Sequence, residues 1–361
     1  MTSWQTRFTK QFPCSVPIMG APMAGVSGGR LAYETNRAGA LGSIAAGHFN
    51  TASVVENVEK EVRLLREAEG SPLVVGFIGH STFKSETGWK LVEEFMSRHK
   101  PEAVQYFAPA VMKRPSDGQT SNIDLAHKHG CKVITQVGTE AHAIEALAAG
   151  TDCIVAQGSE AGGHGCRPEV GSGTIALAAR IVSVVRSNEE WHDTPVLAAG
   201  GIVDGRGLVA ALALGCDGVV LGTRLWASHE GKGLVSYKER LADSNIGPDE
   251  VIRTQVMDGI QNSYTPNPWP EPFDSSGLIR NSTIDTWHGD YDKFKEAIKD
   301  GSIVQSFKDD NGEKGEATNA CVFSGKGVGD ITSIDNAYDI IRRVDDDAAS
   351  IIQNDLAKLV Q

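Results

Sequence analysis

No apolar stretch in the chain reaches the ~18 residues that a membrane-crossing helix needs. Residues 1–10 carry basic side chains but no apolar core of the kind a signal peptide has. The expectation is a cytoplasmic protein with no membrane partner. Positive charge is also scarce: 34 Lys and Arg stand against 46 Asp and Glu, a formal net charge of −12. That balance excludes a general nucleic-acid binder, which needs a basic footprint for phosphates. The six cysteines, at 14, 131, 153, 166, 216 and 321, form no C-x-x-C pair and mostly lie in apolar runs. They read as buried, reduced thiols. No second ligand stands at a metal-binding spacing from Cys166, and no metal is expected. Prolines number only 14, but glycines number 40 in 361 residues, well above the ~7% average. Without a Gly-X-Y period, such an excess means many tight turns and close backbone approaches. Hydrophobic residues at 40% and charged ones at 22% describe an ordinary folded chain, which excludes disorder as a class.

Short Val- and Ile-rich runs recur along the first two-thirds of the sequence. They lie at 16–19, 40–44, 73–77, 103–107, 132–136, 153–156, 195–198 and 218–221. Runs of this length and composition suit strands buried on both faces. Helical periodicity fills the gaps. Residues 51–69 place Val54, Val58, Val62 and Leu65 on one face, with Thr51 or Ser53 as N-cap and Glu56–Lys60 as an outer i,i+4 pair. The Ala- and Leu-rich segments 141–149 and 208–214 are each closed by a glycine, Gly150 and Gly215. Strand–helix alternation forces parallel pairing and right-handed crossovers. Eight units predict an α/β protein with a (β/α)8 TIM barrel over residues 1–228; strand count alone leaves an open doubly wound sheet as the alternative.

After residue 228 the pattern breaks. Residues 229–320 are expected to form a smaller, mainly helical excursion over the barrel mouth that shapes the substrate space. Within it, 264–273 carries Pro266, Pro268, Pro270 and Pro272, which exclude a helix and favour extended chain. Residues 321–361 are expected to return to the barrel and end in an amphipathic helix marked by Ile341, Val344, Ala348, Ile351 and Leu359. The run Asp345–Asp347 reads as a solvated face.

Barrel chemistry sits at the C-terminal ends of the strands. After the first run comes Gly20-Ala21-Pro22-Met23-Ala24-Gly25, whose small residues let a flat ligand lie against the backbone. After the seventh and eighth come Ala199-Gly200-Gly201-Ile202 and Gly222-Thr223-Arg224. Glycines ahead of a helix expose N–H groups to an anion, and these two loops are the recurrent phosphate site of such barrels. After the sixth lies Gln157-Gly158-Ser159-Glu160-Ala161-Gly162-Gly163-His164-Gly165-Cys166. The glycines around His164 leave its imidazole open to a pocket, where histidine is the side chain best suited to move a proton near neutral pH. The string Gly325–Gly329 follows no βαβ unit and is a weak dinucleotide fingerprint.

Taken together, 20–25, 157–165 and 198–224 resemble the nitronate monooxygenase family, formerly called 2-nitropropane dioxygenases. The resemblance covers roughly residues 13–228 and 323–329. It implies an FMN-dependent TIM barrel that oxidises alkyl nitronates, or neutral nitroalkanes, with dioxygen to a carbonyl compound and nitrite. It makes His164 the catalytic base. It places Pro22, Met23 and Ala24 beneath the isoalloxazine, and Gln157, Gly162, Gly163 and Gly76 around the cofactor, with Gln136 at the flavin pyrimidine edge. Gly200, Gly201, Val220, Leu221, Gly222 and Thr223 become the phosphate cradle. Tyr106, where related enzymes often carry histidine, is a further pocket position. An NAD(P)H-dependent flavin reductase acting on a quinone or an enoyl thioester shares much of this pattern and is the alternative activity. A redox-free phosphate-binding barrel is the alternative class. The sequence does not choose between a monomer and a homodimer.

Overall fold

In the computed structural model, residues 4–67, 70–263, 265–299, 301, 303 and 321–358 are described. The helix end at 68–69, Tyr264, the 304–320 part of the excursion and Leu359 lie outside the described residues. The strands are β1 (Ile18–Gly20), β2 (Ile44–Gly47), β3 (Val74–Ile78), β4 (Ala103–Phe107), β5 (Lys132–Val137), β6 (Cys153–Gln157), β7 (Gly163–Gly165), β8 (Val196–Ala199), β9 (Gly218–Leu221), β10 (Val251–Thr254) and β11 (Ser275–Ile279). Eight of them form one parallel sheet in the order β1-β9-β8-β6-β5-β4-β3-β2. Leu41, just ahead of β2, donates to Ile18 O and accepts from Gly20 N, both at 2.9 Å, and this joins the sheet's two ends. The ring is therefore closed, and the open sheet is excluded.

Alternation along the strands divides the core. Met19, Leu41, Val74, Ala103, Ile134, Val155 and Leu197 fill the interior, and Phe8 and Phe12 of the N-terminal segment plug its lower end. The opposite residues meet the outer helices. One of these, Ala52–Arg66, starts with the Thr51 hydroxyl accepting from Val54 N and buries Val58, Val62 and Leu65, as its apolar period requires. Its outer Lys60 donates to Asn57 rather than pairing with Glu56. The C-terminal helix Ala337–Ser350 packs on the barrel helices Gly29–Arg37 and Gly205–Ala213. Gly205 permits that approach, because a Cβ there would lie 2.5 Å from Ala348 N. Asp345 does not belong to a solvated face. It is fully buried, accepts from Trp4 Nε1 at 2.6 Å and pairs with Arg342 at 2.6 Å, so two donors replace its lost water.

The excursion is not purely helical. Helices Val235–Leu241, Val256–Asn262, Ser282–Trp287 and Tyr291–Lys299 surround β10 and β11, which form an antiparallel sheet with β7 in the order β10-β11-β7. The register sets Ser276 against His164, and a further bridge sets Phe323 against Leu278. A strand from the sixth barrel loop is thus woven into the cap. Among the described residues no helix is long and apolar enough to cross a membrane.

Candidate active site

The C-terminal ends of the barrel strands and the cap enclose a cavity of about 570 Å³. Its floor is the loop after β1, where Pro22, Met23 and Ala24 line the space. Gly76 of β3 underlies this loop: a Cβ there would lie 2.4 Å from Pro22 Cβ, so a larger residue would lift the floor. The loop also carries the Gly-x-Ser-x-Gly spacing of a hydrolase nucleophile at Gly25–Gly29. Ser27, however, is buried, donates to Ala21 O at 2.7 Å and accepts from Met23 N at 3.1 Å, so its role is to shape the loop.

Three glutamines stand side by side at the ends of β4, β5 and β6, and all line the cavity: Gln105, Gln136 and Gln157. Gln105 Nε2 donates to Gln136 Oε1 at 2.8 Å, and Gln157 Nε2 donates to His164 O at 2.8 Å. The Oε1 atoms of Gln105 and Gln157 are buried without a partner among the described residues. Buried polar atoms are nearly always satisfied, so two orphaned acceptors on one cavity edge fit a ligand that brings N–H groups there. Gln105 was not among the sequence candidates. Tyr106 was, but it faces the other way: it is fully buried in the outer layer, and its hydroxyl donates to Asn122 O at 3.2 Å. Alternation along β4 decides this, turning Gln105 and Phe107 to the cavity and Tyr106 to the helices.

The opposite end of the cavity is built from Gly200, Gly201, Val220, Gly222 and Thr223, with Gly325 and Gly327 of the return segment. Gly200 and Gly201 have φ of 121° and 72°, left-handed values that favour glycine. Thr223 Oγ1 accepts from Gly325 N at 2.9 Å, which leaves its own O–H to donate. Glu160 is held back from the space, accepting from Thr174 N and Oγ1 at 2.7 Å each. Arg224 turns away, bonding Asp335 Oδ2 at 2.6 Å. This end is therefore lined by backbone and hydroxyl groups, with the Glu160 carboxylate and the Arg224 guanidinium both turned away from it. Leu221 does not face it; its side chain is buried against the outer helices.

Gly162, Gly163 and His164 form a side wall. The His164 ring has three fixed neighbours. Its Nε2 lies 2.5 Å from Asp258 Oδ1, Trp269 stacks on its face with centroids 3.7 Å apart, and Phe323 is tilted at 5.6 Å. Asp258 is 1% exposed, and its other oxygen accepts from Ser276 Oγ at 2.7 Å. His48 and His80 flank Trp269 at 5.8 and 5.0 Å. Burial, with His80 and His164 as like-charge neighbours, pushes the His48 imidazole down to about 4, which keeps it neutral at physiological pH.

Behind the wall lies Arg253, whose guanidinium donates to the carbonyls of Ser159, Ala161, Gly163 and Ser275. Burial lowers it to about 10. Cys166 is buried beside Phe273 and Ala108, and burial raises its thiol to about 11, which keeps it protonated and unreactive. None of Asp258, Trp269, Ser276 or Arg253 was a sequence candidate.

The cavity thus offers a flat apolar floor, an amide-lined edge, a glycine- and hydroxyl-lined end, and two histidines, His48 and His164, in its wall. Comparison with known proteins agrees with the architecture. The family model described as nitronate monooxygenase matches residues 5–346. The chain is 32% identical to nitronate monooxygenase npaC of Metarhizium robertsii over 95% of this chain and 93% of that protein. It is 31% identical to the nitronate monooxygenase of Neurospora crassa, over 96% and 93% of the two chains. Among solved structures, FabK from Thermotoga maritima covers 99% of this chain, and all of FabK is matched, at a TM-score of 0.73 and 23% identity. The nitroalkane oxidase of Streptomyces ansochromogenes covers 96% of this chain, with 99% of its own length matched, at a TM-score of 0.73 and 22% identity. These two share the fold.

Proposed function

The chain belongs to the nitronate monooxygenase family, an oxidoreductase family, and from that premise we propose that it binds FMN and uses dioxygen to convert alkyl nitronates, and the parent nitroalkanes, into a carbonyl compound and nitrite. The observation that carries this reading is the placement of His164 in the wall of a cavity whose floor, edge and far end fit the parts of FMN. Pro22, Met23 and Ala24 would lie under the isoalloxazine. Its pyrimidine edge carries one N–H donor between two carbonyl acceptors: the N–H can meet one of the two orphaned Oε1 atoms, of Gln105 or Gln157, and Gln136 Nε2 can donate to a carbonyl. Gly200, Gly201, Gly222 and Thr223 would hold the phosphate.

When bound, FMN supplies the redox chemistry between the substrate and dioxygen. The chain's own residues do the rest. His164 accepts the α-proton of a neutral nitroalkane; once protonated, it pairs with the anionic nitronate. Trp269, Phe107 and Phe323 keep water from the reacting carbon, which strengthens that pairing. We assign residues 229–320 the role of substrate-shaping cap, since Trp269 enters the cavity from that segment.

The test is nitrite release by FMN-reconstituted protein from nitroethane and, separately, from ethyl nitronate. Both should react. His164→Asn should retain FMN and lose nitroethane turnover by about 10²–10⁴-fold, the usual worth of a general base. Undiminished nitroethane turnover would remove His164 from the role of base, and no nitrite from either compound would overturn the activity.

A further inference from the structure

Asp258 belongs to the cap and lies 94 residues from His164 in sequence, yet its carboxylate is the group closest to the imidazole. The carboxylate is buried and has two partners among the described residues, Ser276 Oγ and His164 Nε2. A hydroxyl that donates to Oδ2 fixes the plane of the carboxylate and leaves Oδ1 as an acceptor aimed at the ring. The ring is fixed as well. Trp269 lies on one face with planes 11° apart, and the His164 carbonyl is held by Gln157 Nε2. Nδ1 has no hydrogen bond among the described residues. His164 lines the cavity, and its side chain keeps 15% of its exposure.

We infer that Asp258, oriented by Ser276, is a positioning residue that holds His164 as the Nε2–H tautomer and so makes Nδ1 the atom that takes the substrate proton. The inference rests on the proposed nitroalkane chemistry for its consequence in turnover, but the tautomer itself does not depend on it. In the proton transfer the α-C–H bond breaks and its electron pair stays with the substrate as the nitronate. The proton forms a new Nδ1–H bond, while Nε2–H remains on Asp258. The imidazolium then lies between the carboxylate on one nitrogen and the new anion on the other. The ionisable groups around it are Asp258, His48 and His80, with Arg253 one layer back. Of these, Asp258 is the one hydrogen-bonded to the ring.

A preformed nitronate needs no proton removed, and this separates a positioning role from a structural one. In FMN-loaded protein, Asp258→Asn should lower kcat/KM for nitroethane by about 10²–10⁴-fold while the value for ethyl nitronate falls by less than about tenfold. Asp258→Glu should recover part of the loss, and Ser276→Ala should show the same selectivity more weakly. Equal losses on both substrates, with FMN content intact, would overturn the inference. Histidine side-chain ¹⁵N spectra of wild-type protein, assigned with His164→Asn, test it without turnover. Protonated Nε2 and bare Nδ1 are expected for His164 at neutral pH. A protonated Nδ1 beside a bare Nε2 would overturn the inference whether or not the protein oxidises nitro compounds, whereas the expected tautomer without nitrite release would leave the positioning intact and remove the proposed activity.

Discussion

The indole of Trp269 lies flat on the imidazole of His164, with centroids 3.7 Å apart and an 11° angle between planes. The two residues come from different layers, one from the sixth barrel loop and one from the proline-rich stretch of the cap. Asn262 holds Trp269 in place by accepting from its backbone N–H at 2.9 Å. An aromatic pair of this kind contributes ~0.5–1.5 kcal/mol beyond its buried area. Trp269→Ala should therefore lower kcat/KM by about three- to tenfold for nitroalkane and nitronate alike, because both lose the same wall. A selective loss on the nitroalkane alone, read by nitrite release, would assign Trp269 a part in proton transfer instead.

Gln105 places on the cavity edge a buried oxygen without a partner among the described residues. Gln105→Leu should weaken FMN binding by about two- to tenfold, the worth of a hydrogen bond of ~0.5–1.5 kcal/mol. The substitution also removes the Nε2 that donates to Gln136 Oε1, so the FMN-free protein should lose some stability as well, and the readout is the shift that FMN produces. Thermal melts with and without FMN check this: the shift produced by FMN should shrink. An unchanged shift would place the cofactor's polar edge elsewhere.

His48 is lowered to about 4 by burial and by its histidine neighbours. A histidine with a folded pKa below its unfolded value is neutral in the fold while the unfolded chain takes up protons. Its contribution is fully present above about 6.5 and is lost as pH falls toward 4. Urea midpoints measured across this window should fall steadily for the wild-type protein and less steeply for His48→Gln. Parallel curves would assign the acid sensitivity to other groups.

Arg253 binds four carbonyls from the deep side of the sixth loop and of β11. Arg253→Met would leave those acceptors buried and unmet, at ~1–3 kcal/mol for each that finds no substitute. The variant should melt earlier, and amide exchange should accelerate across 159–165. Protection there equal to that of the wild type would show that the glycine-rich wall holds its shape without the cation.

The barrel was legible in the sequence because its strands are short apolar runs and helices such as Ala52–Arg66 carry an apolar period and a cap, so local pattern and global fold agree. The site was legible where it depends on chain order. Gly200, Gly201, Gly222 and Thr223 follow the last two barrel strands, and His164 sits in a glycine cluster after the sixth. Leu221 and Tyr106 show the limit: one step along a strand reverses the face, and composition does not say which step points inward. Asp258 and Ser276 were illegible for a different reason. In sequence neither stands in a recognisable motif: the pairing of β11 with β7 brings Ser276 to His164, and the helix Val256–Asn262 packed on β11 brings Asp258. The excursion is mainly helical, as expected; its two strands were missed because their sheet is completed by a Gly-His-Gly segment with no strand pattern of its own.

The most direct test of the account is to mix FMN-loaded protein anaerobically with ethyl nitronate, and separately with NADH, while recording the flavin spectrum. Loss of the oxidised-flavin absorbance with nitronate alone, followed by nitrite when air is admitted, is the predicted result. A flavin that stays oxidised with nitronate but is rapidly reduced by NADH would contradict the account and make this barrel a reductase.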